Sequence, residues 1–199
     1  MANQEVNRSR RRLLTGVVSV VGGAGAATLA VPFLRMWSPS AKAQAAGAPV
    51  EADISKIEPG QMLQFEWRGQ PVWVVSRTPE MLEGLNSVKD NLRDPGSENV
   101  EQQPGYAQNE YRSIKPELLV LIGICTHLGC SPKFVPELVP QPFDPNWQGG
   151  FFCPCHNSRF DLAGRVYEGV PAPANLKVPP YQFLEGGRVL IGLDAEETA

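Results

Sequence analysis

Apolar and polar positions alternate along much of this chain and predict its strands. Met62 to Trp67 and Val72 to Val75 are apolar or alternating runs with the two-residue period of a strand. Arg68-Gly69-Gln70-Pro71 between them predicts a hairpin turn. Thr78-Pro79-Glu80 predicts the start of a short helix, with Thr78 as N-cap, Pro79 at the first helical position and Glu80 near the positive helix end. Residues 86–115 are polar and aperiodic, which predicts a long surface excursion. Leu118 to Cys125 is a continuous apolar run with the look of a buried strand. The stretch 131–150 contains Pro132, Pro136, Pro140, Pro142 and Pro145 and predicts irregular chain. Tyr181 to Leu184 and Val189 to Leu193 flank Glu185-Gly186-Gly187-Arg188, a second hairpin. No internal repeat stands out. The reading is an all-β, antiparallel domain.

The N-terminus follows a different pattern. The 22 residues from Leu13 to Leu34 include no charged side chain. That is enough for a helix to cross the roughly 30 Å hydrocarbon core, where Gly16, Gly22, Gly23, Gly25 and Pro32 are tolerated because no water competes for the backbone. The expected divisions are a basic region at 1–12, a transmembrane anchor at 13–35, a tether at 36–52 and an exported domain at 53–199. Arg8, Arg10, Arg11 and Arg12 predict a cytoplasmic N-terminus with the rest of the chain on the far side, and Trp37 lies at interface depth. Ser9-Arg10-Arg11-Arg12-Leu13-Leu14 resembles a twin-arginine export signal. The alternative is an ordinary signal peptide cleaved near Ala41-Lys42-Ala43 or Ala45-Ala46, although its apolar region would be unusually long. SPSAKAQAAGAPV, from Ser38 to Val50, has no apolar face and could span at most about 45 Å as a flexible or partly helical tether.

Charge narrows the range of partners. From residue 50 onward there are 12 basic and 20 acidic side chains. So acidic a domain argues against nucleic acid, whose phosphates would repel it. The rarest residues are more informative: the chain's four cysteines and two histidines all lie in two short boxes. The first is Cys125-Thr126-His127-Leu128-Gly129-Cys130, and the second is Cys153-Pro154-Cys155-His156-Asn157-Ser158. Clustering of every thiol with every imidazole points to a metal centre. Two disulfides would leave both histidines unexplained. A structural zinc site would use thiolate and imidazole, but at C-x2–4-C spacings, and it would leave two cysteines over. A third use takes C-x-H from one loop and C-x2-H from the other as two thiolates and two imidazoles, the donor set of a 2Fe–2S cluster in which histidines replace two cysteines.

CTHLGC and CPCHNS resemble the two boxes of the Rieske subunit of cytochrome bc complexes, and the likeness extends through the anchor, the Ala-rich tether and the Val170-Pro171-Ala172-Pro173 turn. The resemblance implies a Rieske-type antiparallel β-sandwich with a small cluster-binding subdomain at about 122–174, holding one 2Fe–2S cluster. By the same resemblance, Cys125 and Cys153 would hold the inner iron, and His127 and His156 the outer one. Cys130 and Cys155 would form a disulfide, and the proline turn would cover the cluster's third side. Ser158 would bond a cluster sulfide. Phe160 stands where many relatives have a tyrosine that bonds the sulfur of the first-box cysteine, and Asn157 replaces a glycine.

The implied function is that of an electron-carrying subunit of a bacterial respiratory ubiquinol–cytochrome-c reductase. Quinol bound at cytochrome b would bond to His156, which accepts a proton, and the electron would pass on to a c-type cytochrome. The domain would be periplasmic, held to the inner membrane by a single span, and the isolated chain would have no activity of its own. The alternative is a Rieske subunit of a periplasmic molybdenum enzyme such as arsenite oxidase; the tether and the 86–115 insertion favour the quinol complex. Rieske domains of ring-hydroxylating oxygenases and ferredoxins are cytoplasmic and typically lack the extra cysteine pair.

Overall fold

A computed structural model describes residues 7–193, which divide into a unit ending at Ala45 and a unit beginning at Ala46. The first unit is mostly helix α1 (Arg8–Arg35), capped by the Asn7 side chain, which accepts from the Arg10 N–H at 3.1 Å. None of its residues is buried, and Thr15 and Thr28 return their hydroxyls to the carbonyls of Arg11 and Ala24 at 2.8 Å. This hides two polar groups that a lipid environment would leave unsatisfied. Among the described residues, α1 is the helix long and apolar enough to cross a membrane. A short helix, α2 (Ala41–Gly47), follows.

The second unit is built from three antiparallel three-stranded sheets. The first has the order β1 (Val50–Asp53), β9 (Arg188–Ile191), β8 (Tyr181–Leu184). Val50, Glu51 and Ala52, expected in the tether, pair instead with Ile191, Leu190 and Val189, and Ala52 is fully buried. The second sheet joins β2 (Met62–Trp67), β3 (Gln70–Ser76) and β4 (Leu118–Ile122). The β2–β3 turn is shorter than the sequence suggests. Arg68 and Gly69 make it alone with φ of 53° and 70°, and Gln70 and Pro71 lie in β3. Both positive φ values match the tight hairpin turns that suit the strand twist. The third sheet is β5 (Lys133–Val135), β6 (Gly150–Cys153) and β7 (Ser158–Phe160). The proline-rich stretch 131–150 is therefore not wholly irregular. Three residues with free N–H groups between Pro132 and Pro136 are enough to pair with β6.

Helix α3 (Pro79–Ser87) starts as read, with Thr78 Oγ1 accepting from the Met81 N–H at 3.3 Å. The segment 86–115 departs from the reading. It runs through short 3-10 turns and buries Leu92, Ser97, Gln103, Ala107, Arg112 and Ser113 rather than lying over the surface. Its polarity misled because its buried polar groups find distant backbone partners. One continuous core links all three sheets and takes in Cys125 and Cys153. Trp73 of β3 stacks on Phe151 of β6 with ring centroids 5.3 Å apart. Gly123 lets the chain leave β4 over that indole, since a Cβ there would lie 2.2 Å from the ring.

Candidate metal centre

Two loops meet at one end of the second unit. The first leaves β4 and folds back on itself: the Cys125 N–H donates to the Cys130 carbonyl at 2.7 Å and the Gly129 N–H to the Cys125 carbonyl at 3.1 Å. Gly129 has φ +83°, which favours glycine. The second loop is the tip of the β6–β7 hairpin, where Cys153 pairs with Ser158 and residues 154–157 make the turn. Asn157 takes φ 61° there, a left-handed conformation that Asn adopts better than most residues.

The structure brings all seven singled-out residues to this end. A disulfide between Cys130 and Cys155 ties the loops together, with Cα atoms 6.8 Å apart. Cys125 and Cys153 remain unbridged and are each 2% exposed. The Cys153 sulfur lies within 4.8 Å of both disulfide sulfurs. Proximity alone would group those three as ligands, but sulfurs spent in a disulfide are not thiolates. Burial, above all, pushes the Cys125 thiol up, and the Cys153 thiol beside it adds to the effect. A cation bound between them would make two adjoining thiolates tolerable. The rings of His127 and His156 are edge to face, with centroids 4.6 Å apart. His127 Nδ1 is buried without a hydrogen-bond partner. A buried polar atom left unpaired is costly. An iron ion would satisfy it, so the donor set fits a 2Fe–2S group.

A third wall comes from Val170–Pro173. The Ala172 N–H donates to Ser158 Oγ at 3.1 Å, and the fully buried Ser158 hydroxyl stands beside the Cys125 thiol, whose upward shift it moderates. Thr126 fastens the first loop to this wall by donating to the Ala174 carbonyl at 2.6 Å. Sequence reasoning singled out the turn but missed Thr126 and its partner, because a lone threonine between two ligand candidates carries no signal of its own. Phe160 is fully buried and shares the β7 face of Ser158. His156 is exposed, on the rim of a groove of about 610 Å³ walled by Phe143, Phe152, Arg159 and Pro171. Phe143 and Phe152 stack there at 3.9 Å.

Residues 49–181 match the model of the Rieske [2Fe-2S] domain. The chain is 58% identical over 194 residues to the ubiquinol-cytochrome c reductase iron-sulfur subunit of Allochromatium vinosum, covering 98% of this chain and 93% of that one. It is 40% identical to the subunit of the same name from Bradyrhizobium diazoefficiens, covering 96% of this chain and 97% of the other. Among solved structures, a chain described as "Hyperthermophilic respiratory Complex III" matches with 28% identity and a TM-score of 0.45, covering 89% of this chain and 98% of its own. With two unbridged cysteines and two facing histidines on disulfide-linked loops, and with these relatives matched over nearly its whole length, the chain belongs to the Rieske [2Fe-2S] family, among the iron–sulfur subunits of ubiquinol–cytochrome c reductase.

Proposed function

We propose that Cys125 and Cys153 hold one iron of the cluster and His127 and His156 the other. On this reading the chain carries electrons from ubiquinol, bound at a cytochrome b subunit, to a c-type cytochrome. The observation that carries the proposal is the pair of facing imidazoles, one with a buried and partnerless Nδ1, next to two buried, unbridged thiols. When bound, the cluster supplies a one-electron couple at about −150 to +300 mV, far above the about −400 mV of plant-type clusters held by cysteine alone.

The chain's own residues do the rest. His156, exposed at the tip, binds the quinol hydroxyl and holds its proton at the outward ring nitrogen. Leu128, 72% exposed on the neighbouring loop, and the Phe143–Phe152 groove offer apolar surface to a membrane-embedded partner. The buried positions of Cys125 and Cys153 exclude water from the inner thiolates. Helix α1 anchors the chain by a single pass in the bacterial inner membrane, and Arg8, Arg10, Arg11 and Arg12 keep its N-terminus cytoplasmic. The twin-arginine route exports the domain to the periplasm. Residues 36–49 act as the tether on which it travels between partners. Purification from native membranes tests this: b- and c-type haem should co-purify with the chain, and a molybdopterin partner would overturn it.

Phe160 offers a graded test. Phe160→Tyr adds a hydroxyl on the face that carries Ser158, and a bond from it to the Cys125 sulfur stabilises the reduced state. The midpoint should rise by tens of millivolts, about 59 mV being a tenfold bias for one electron. A redox titration followed by EPR reads it, and an unchanged midpoint refutes the placement of Phe160 beside the cluster.

A further inference from the structure

Arg112 lies outside both cysteine boxes, in the polar stretch before β4, and is fully buried. A buried guanidinium is ordinarily matched by a carboxylate. The hydrogen bonds of Arg112 go instead to neutral acceptors. Nη1 donates to the carbonyls of Leu176 at 2.7 Å, Ala163 at 3.3 Å and Gly164 at 3.4 Å. Nη2 donates to the Gln102 carbonyl at 3.2 Å and to Gln103 Oε1 at 2.9 Å. Burial pulls its pKa down to about 10, so it stays charged at neutral pH. The buried carboxylate of Asp161 is taken by Arg165 at 2.7 Å.

The acceptors form a pattern. Gly164 and Leu176 are the two ends of the segment that carries the proline turn, and the Leu176 N–H donates to the Gly164 carbonyl at 2.8 Å. Arg112 therefore grips the neck of a closed loop. Inside the loop, Asn175 Oδ1 accepts from the Val166 N–H at 2.8 Å. Farther along it, Ala172 donates to Ser158 Oγ, the hydroxyl beside the Cys125 thiol. A hydroxyl that accepts from Ala172 keeps its own proton for another acceptor, and the Cys125 thiol stands beside it.

We propose that Arg112 is a positioning residue for the metal centre: by clamping Gly164 and Leu176 it sets where Ala172 presents its N–H, and so where the Ser158 hydroxyl points. This rests on the assignment of Cys125, His127, Cys153 and His156 as cluster ligands. Arg77 supplies the control. It is nearly as buried, at 3% exposed, but donates to the Tyr111 and Leu162 carbonyls and to Ser113 Oγ, all outside the 164–176 loop.

The test uses the complex purified from native membranes with Arg112→Lys, Arg112→Gln or Arg77→Gln. Midpoints are read by EPR-monitored titration, and hydrogen exchange is followed over residues 165–175. Arg112→Gln should lower the reduction equilibrium constant about tenfold, equivalent to about 59 mV, and should speed exchange of the loop. Arg112→Lys keeps the charge but cannot reach both ends of the loop, so its midpoint should fall in between. Arg77→Gln should move neither. An unshifted midpoint in Arg112→Gln, or Arg112→Lys equal to the unmodified chain, overturns the proposal, as does an equal shift from Arg77→Gln. If Arg112→Gln fails to assemble, Arg112→Lys decides alone. Exchange in the metal-free full chain in detergent separates the two claims. A loop still protected in Arg112→Lys there overturns the clamp, whereas a missing Rieske signal in the unmodified complex overturns the ligand assignment.

Discussion

Cys153→Ser is expected to yield a chain that reaches the membrane without its cluster, with quinol-dependent cytochrome c reduction falling to background. Cys153 is 2% exposed and ends β6, so its sulfur is aimed by a strand and not by a mobile loop. A serine hydroxyl in the same place stays protonated at neutral pH and is a poor ligand for iron. Because Cys153 adjoins Cys125, losing one thiolate removes half of the proposed inner pair. His156→Gln should be as severe for turnover, since under the proposed assignment it removes both a ligand and the proton-accepting nitrogen. EPR of reduced membranes and a turnover assay check both variants. A Cys153→Ser membrane with the unmodified signal and rate would remove Cys153 from the site.

The second large effect is on stability. The Cys130–Cys155 disulfide closes a loop at a sequence separation of 25. By the chain-entropy estimate, a loop of that length contributes about 3–4 kcal/mol by restricting the unfolded chain. For a domain of this size, 1 kcal/mol corresponds to roughly 2–4 °C in melting temperature. The double variant Cys130→Ala/Cys155→Ala should therefore melt roughly 6–16 °C lower than the unmodified chain. Calorimetry of the detergent-solubilised chain measures it, with the double variant used so that neither half of the broken bond leaves a thiol beside Cys153. The exposed position of Cys155 predicts the same loss on treatment with a thiol reductant. A melting temperature unchanged in the double variant would show that the two loops hold together without the bond.

The boxes could be read in the sequence because thiols and imidazoles are rare here and their spacing is specific. Cys125, His127, Cys153 and His156 needed no knowledge of packing to be singled out. The strands of the two hairpins were legible for a similar reason: period-two alternation is local. What escaped the sequence was long-range. Arg112 sits in an aperiodic polar stretch, and its acceptors at Ala163, Gly164 and Leu176 lie more than fifty residues away. Nothing near Arg112 distinguishes a buried clamp from a solvated charge. Pro71, which lacks an N–H, is expected in the Arg68-Gly69-Gln70-Pro71 turn. At the edge of the β3–β4 pairing none is needed, and its carbonyl still accepts from the Gly123 N–H at 2.8 Å. Lys133–Val135 was lost among prolines for the converse reason: three free N–H groups sufficed for a strand.

Iron and acid-labile sulfide analysis of the full chain from native membranes, combined with pulsed EPR on protein labelled with ¹⁵N-histidine, tests the ligand set most directly. Two irons and two sulfides per chain are expected, with two inequivalent ¹⁵N couplings that fall to one in His127→Cys. Zinc in place of iron, or a signal with no histidine coupling, would contradict it.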